Sequence, residues 1–211
     1  MKRITSSIVL FLLIVSCSNS QNDTKVKNRL VGNCEGCEAI FEYGDKNLNA
    51  VDTLPDFNDP GVQLKLCGTI YKLDGKTPAK NVILYIYHTD QQGIYPTTGS
   101  EKGWARQHGN IRGWIKTDEK GKYTFFTLKP GVYPSRSQPA HIHPIVLEPD
   151  GKYYWLGSYF FEGDSLLSND QIFPINPRAD SPGVLKLKWE DGLWVATRDF
   201  ILGRNVPGYN D

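Results

Sequence analysis

Two histidines separated by a single residue, in Pro139-Ala140-His141-Ile142-His143, are the part of this chain whose type and spacing most suit chemistry. Successive side chains of a β-strand point to opposite faces, so His141 and His143 fall on one face and Ile142 on the other. Two imidazoles side by side can share a metal ion; an isolated His-x-His can equally be two polar residues on a solvated strand face. The chain holds only 4 histidines, and this pair closely follows a Pro130-Gly131 turn and Tyr133.

The elements around the pair read as strands. LKLCGTIYKL, NVILYIYHT, GWIKTD, KYTFFTL, AHIHPIVLEP, KYYWLGSYFF, VLKLKWE and LWVATRDFIL are rich in β-branched and aromatic residues. Between them stand Asp74-Gly75, Asp118-Glu119-Lys120-Gly121, Pro130-Gly131, Asp150-Gly151 and Asp191-Gly192, which tolerate the backbone conformations of tight turns. The expected fold is all-β, a sandwich of mixed or antiparallel sheets over residues 61–211, with SLLSNDQIF as a short helical turn. A 39% hydrophobic and 12% aromatic composition supplies the core for it. With 24 basic against 23 acidic residues there is no field to draw in nucleic acid.

The first residues, MKRITSSIVLFLLIVSC, join a basic start to an apolar run too short to span a bilayer comfortably. Ile14-Val15-Ser16-Cys17 resembles a bacterial lipobox, which implies a leader over 1–17, lipid on Cys17 and an exported protein held at a membrane. Residues 18–60 read as a polar tether and an extension that packs on the following domain. Cys34, Cys37 and Cys67 remain. Cys34-Glu35-Gly36-Cys37 is compatible with a disulfide, a redox pair or half a zinc site, a structural role being favoured because no second CxxC exists.

Arg112-Gly113, Thr117-Asp118, Gly121-Lys122-Tyr123, Phe125, Pro130-Gly131, Tyr133-Pro134, Pro139-Ala140-His141-Ile142-His143 and Tyr159-Phe160-Phe161-Glu162-Gly163-Asp164 together resemble the intradiol ring-cleavage dioxygenases, over roughly residues 61–200. The resemblance implies Fe(III) held by two tyrosinates and two histidines, with an aromatic diol and O2 as substrates. The matching positions are Tyr133, His141 and His143. The other tyrosinate is implied a little under forty residues before Tyr133, where Tyr95 stands in Gly93-Ile94-Tyr95-Pro96; Tyr85 and Tyr87 compete but lie inside an apolar strand run. Two phenolates and two neutral imidazoles suit a ferric ion, whose charge hard anionic oxygens offset, whereas zinc has no need of tyrosine. The Tyr133 position also implies a proton acceptor for the incoming diol.

The chain departs from that family at two positions. Gln138 stands where arginine usually precedes Pro-Ala-His-x-His, with Arg136 two residues earlier as the nearby cation, and Ser158 replaces an active-site glutamine. Trp104, Trp114 and Ile94 read as pocket wall or core, His88 and His108 as surface or structural residues, and the acids of Asp118-Glu119 and Glu162-Gly163-Asp164 as turn residues. No serine-nucleophile elbow, phosphate-binding loop or dinucleotide fingerprint is present. Two other readings stay open: an iron-binding relative without ring cleavage, and a non-enzymatic module resembling transthyretin-like or carboxypeptidase-regulatory domains.

Overall fold

The strand-forming runs fold into two β-sheets facing one another across a shared apolar core, in a computed structural model that describes residues 26–210. Cys17 and the leader lie outside the described residues. In chain order the elements are β1 (Arg29–Leu30), β2 (Val51–Thr53), β3 (Gln63–Tyr71), β4 (Ile83–His88), helix α1 (Ala105–His108), β5 (Arg112–Lys116), β6 (Lys122–Leu128), β7 (His141–Leu147), β8 (Lys152–Trp155) and β9 (Tyr159–Phe161). Helix α2 (Asn169–Ile172), β10 (Val184–Leu185), β11 (Lys188–Glu190), β12 (Leu193–Thr197) and β13 (Phe200–Ile201) complete them.

One sheet runs β1-β8-β7-β4-β5, with β9 beside β7 and β10 beside β9; the other runs β11-β12-β3-β6-β2, with β13 beside β3. Both mix parallel and antiparallel pairs. Alternation along β4 and β7 decides what each face does. Leu84, Ile86, Ile142 and Val146 join Leu64, Leu66, Ile70 and Phe125 of the opposite sheet in the main core. Tyr85 and Ile145 point outward, where Trp114, Tyr153 and the short 3-10 segment Cys37–Phe41 cover them. His141 and His143 are on that outer face too, so the catalytic candidates occupy a sheet surface that the extension covers next door.

Three runs read as single strands are divided. KYYWLGSYFF breaks at Leu156-Gly157-Ser158, where Gly157 has φ +87°. VLKLKWE and LWVATRDFIL also each form two strands. The first break accommodates Pro144 in the middle of β7. The Pro144 carbonyl accepts from Leu156 N at 3.1 Å, so the side lacking an N–H faces the gap between β8 and β9, where no ladder bond is forfeited.

The extension is more than a cover. β1 pairs with β8 and β2 with β6, and Val31 and Leu54 are buried in the main core, so the fold begins well before Gly61. Strands of two and three residues carry too little periodicity to be read from sequence. Cys34 and Cys37 form a disulfide, and Cys67 is free and half-buried. The segment SLLSNDQIF contains α2, opened by a capping box in which Ser168 and Gln171 each bond the other's backbone N–H. No helix among the described residues is long and apolar enough to cross a membrane.

Candidate metal centre

Four side chains from three segments meet at the uncovered end of the outer face. His141 and His143 project from β7, Tyr95 comes from the connection between β4 and α1, and Tyr133 from the connection between β6 and β7. The Tyr95 hydroxyl lies 2.7 Å from the Tyr133 hydroxyl and 3.0 Å from His143 Nε2. The Tyr133 hydroxyl lies 3.2 Å from His141 Nε2 and 3.5 Å from His143 Nε2.

The protonation of these groups follows from their surroundings. His141 Nδ1 lies 2.7 Å from the Pro139 carbonyl, which can only accept, so the proton is on Nδ1 and the Nε2 lone pair faces the cluster. Burial keeps both imidazoles neutral: it lowers the pKa of His141, opposed by the Pro139 bond, and lowers that of His143 strongly, reinforced by the neighbouring histidines. Burial, followed by the bond to Tyr133, raises the pKa of Tyr95. Without a cation, then, the cluster disfavours a phenolate.

The two tyrosine-bearing segments are laced together. Gln91 Nε2 donates to the Lys129 carbonyl at 2.6 Å, Gly131 N to the Asp90 carbonyl at 2.9 Å and Thr89 Oγ1 to the Gly131 carbonyl at 3.1 Å. Gly93, at φ +77°, lies so close to the Val132 carbonyl that a Cβ there would collide with it. Entry into β7 is fixed separately, because Asp164 accepts from Ala140 N at 2.9 Å and from Leu166 N at 2.9 Å. Asp164 thus serves backbone geometry, and Asp118 likewise accepts the N–H groups of Lys120 and Lys122 in its own turn.

The family model described as Dioxygenase matches residues 41–181. The chain belongs to the intradiol ring-cleavage dioxygenase family. It is similar to the protocatechuate 3,4-dioxygenase beta chain of Burkholderia cepacia, at 28% identity over 152 residues, covering 65% of this chain and 63% of that one. Catechol 1,2-dioxygenase 2 of Acinetobacter lwoffii is 32% identical over 112 residues, which is 46% of this chain and 39% of the relative. The chain therefore spans less than two thirds of the length of these relatives. Among solved structures, the dioxygenase domain of a carbohydrate-binding fusion protein from Streptomyces sp. SirexAA-E shares the fold, with TM-score 0.55, 22% identity and coverage of 81% of this chain and 95% of that one.

Intradiol dioxygenases are Fe(III) enzymes as a family, and the cluster fits such an ion. A first-row ion holds imidazole nitrogen and oxygen donors at about 2.0–2.2 Å, which sets neighbouring donors about 3 Å apart. The four atoms are already spaced that way. Among the described residues no group of three or more His, Cys, Asp and Glu could hold a metal, so the two tyrosine oxygens are needed to complete a donor set.

Other expected site residues are distributed unevenly. Arg136, at φ +51°, and Gln138 are exposed on the segment after Tyr133, and among the described residues neither side chain hydrogen-bonds to the four donor atoms. Ser158 is buried. Trp114 is core, Trp104 packs beside the outer cluster and Ile94 is exposed.

His88 and His108 are both buried, which excludes the surface role open to them. His88 sits in a polar knot with Thr127 and Asp56 between the sheets. The residue missed by sequence reasoning is Tyr87. Its ring stacks on His143 with centroids 4.5 Å apart and on His108 at 3.7 Å, and Tyr85 OH lies 2.9 Å from His108 Nδ1. Burial pulls the His108 pKa down to about 4, so this stack is neutral. Strand period held a usable signal, because Tyr87 pairs directly with His143 across β4 and β7.

Proposed function

We propose that this chain is an Fe(III)-dependent dioxygenase that cleaves a catechol-type ring between its two hydroxylated carbons with O2, giving a muconate-type dicarboxylic acid. The observation that carries the reading is the convergence of Tyr95, Tyr133, His141 and His143 through their O and Nε2 atoms. Bound there, Fe(III) supplies a Lewis acid that draws both diol oxygens in as anions and activates the ring toward O2.

The residues divide the remaining work. His141 and His143 give neutral nitrogen, one fixed by the Pro139 carbonyl and the other by the face of Tyr87. Tyr95 and Tyr133 would bind as phenolates, their protons lost to solvent, because the positive charge of the ion favours the anion and at Tyr95 offsets the effect of burial. Tyr133 Oη touches the other three donors and begins the exposed segment, which suits it to swing out and take a diol proton at that oxygen. Tyr87 keeps water from the ring face of His143. Export and acylation at Cys17 belong to the same reading on the strength of the leader composition, and the mass of the mature N-terminus checks them.

A second reading, iron binding without ring cleavage, is favoured by one observation: the Gln138 and Arg136 side chains are exposed and have no hydrogen bond to the donor atoms among the described residues, so neither places a charge beside the reacting ring. Anaerobic addition of catechol to the iron-loaded protein, then air, separates the two. Ring cleavage predicts a shift in visible absorption followed by uptake of one O2 per diol and appearance of a dicarboxylate; a shift without O2 uptake supports the second reading.

A further inference from the structure

Beyond Phe160, the sheet face that carries His141 leads to a slot that the four donors do not use. Phe160 pairs with His141 across β9 and β7, with ring centroids 5.9 Å apart. Ser158, two residues before it in sequence and so about 6.5 Å along the chain, lies in a cavity of about 270 Å³ that Trp155, Pro177, Arg178 and Arg198 also line. None of the lining residues is acidic.

The two guanidinium groups are held differently. Arg198 is 4% exposed and spends its N–H groups on neutral oxygens: Nε on Ser181 Oγ at 3.3 Å, Nη1 on the Gly157 carbonyl at 2.9 Å, Nη2 on the Leu156 and Ser181 carbonyls at 3.4 and 3.1 Å. It also lies 4.7 Å over the Tyr159 ring. Arg178 commits only Nε, to the Trp155 carbonyl at 3.1 Å, while its guanidinium stands 5.3 Å over the Trp155 ring. Its terminal nitrogens have no hydrogen-bond partner, and neither arginine makes an ion pair, among the described residues. Half-buried positive charge without an anion is costly, and a carboxylate matches a guanidinium fork.

The backbone that presents Arg178 is strained and pinned. Asn176, Ala179 and Asp180 adopt φ of +53°, +57° and +54°, conformations that persist only where surrounding contacts enforce them. Those contacts are Ala179 N to the Arg204 carbonyl at 2.7 Å and Asn205 Nδ2 to the Pro177 carbonyl at 3.0 Å. Trp155, Leu156, Phe160, Pro174 and Pro177 give the slot apolar lining suited to a hydrocarbon chain ending in the charge.

We propose that this slot is a carboxylate subsite: Arg178 receives the carboxylate at the end of a short side chain on the diol's ring, and Arg198 provides a fixed positive floor. Resting on the ring-cleavage reading, the inference names its substrate class as catechols with a carboxylate-terminated side chain. A slot displaced by one aromatic side chain from His141 suits a carboxylate set off from the ring better than one attached to it. Discrimination against a neutral analogue follows because such an analogue leaves the half-buried Arg178 guanidinium without an anion.

The test has one arm that needs no turnover. In calorimetric titration of the full iron-loaded protein with 3-phenylpropionate, which carries the acid arm but no diol, the expected result is binding that the matching amide lacks. Arg178→Gln should weaken it at least tenfold, and Arg178→Lys should restore part of the loss. In the second arm, the kcat/KM ratio of 3-(3,4-dihydroxyphenyl)propionate over 4-methylcatechol should fall at least tenfold in Arg178→Gln. Equal binding of acid and amide, or an unchanged ratio, overturns the subsite even if catechols are cleaved. Arg178-dependent binding of phenylpropionate without cleavage of any catechol leaves the subsite standing and removes the ring-cleavage reading instead.

Discussion

The two segments that meet at Tyr133 are built to opposite standards. Before it, residues 89–95 and 129–133 are laced by bonds from Gln91, Gly131 and Thr89, with Gly93 pressed against the Val132 carbonyl. After it, residues 134–138 are exposed and held locally by Arg136 N to the Tyr133 carbonyl at 2.8 Å and by Ser135 to Ser137. The tying bonds are concentrated where the two phenolic oxygens have to be held beside the two imidazole nitrogens, and are few in the segment that follows. Tyr95 and Tyr133 are on the laced side; of the two departures from the family pattern, Gln138 is on the loose side and Ser158 is buried at the break between β8 and β9.

Removing a donor should have the largest effect. His143→Ala is expected to lower bound iron from one per chain to less than about a tenth, by metal analysis after desalting, because the remaining atoms leave the set incomplete. Breaking the lacing comes next. Gly93→Ala puts a Cβ at positive φ against the Val132 carbonyl, and the strain alone costs about 1–3 kcal/mol. A lower melting temperature should accompany a weakened tyrosinate absorption band; a wild-type band would show that the lacing does not position Tyr95 and Tyr133.

The disulfide supports the site from farther off. Gly36 in its loop packs against His108, which stacks on Tyr87 and through it on His143. Chain entropy for so short a loop gives a loss of about 2 kcal/mol for the double Cys34→Ser, Cys37→Ser variant, measured by denaturant unfolding, with iron still bound. The smallest effect belongs to the loose segment. Arg136→Ala and Gln138→Ala should each change stability by under about 0.5 kcal/mol and leave iron content at the wild-type level.

What was legible in the sequence tracks the same contrast. The turn pairs and the β-branched and aromatic runs marked the long strands, because strand period and turn chemistry are local. The His-x-His spacing placed both imidazoles on one face for the same reason. Tyr95 came only through the family resemblance, since nothing local distinguishes a tyrosine in a loop from any other. Tyr87 was passed over because an aromatic inside an apolar run reads as core, and its role comes from lying opposite His143 in the sheet register. The incorporation of residues 29–56 was hidden because β1 and β2 are defined by their partners, not by a pattern of their own.

The central claim is that Tyr95 and Tyr133 complete a ferric centre with His141 and His143, and the visible absorption spectrum of the iron-loaded protein tests it most directly. The prediction is one iron per chain with a strong tyrosinate-to-iron charge-transfer band that gives burgundy protein, altered in Tyr95→Phe and in Tyr133→Phe. A colourless protein holding one iron per chain would contradict it.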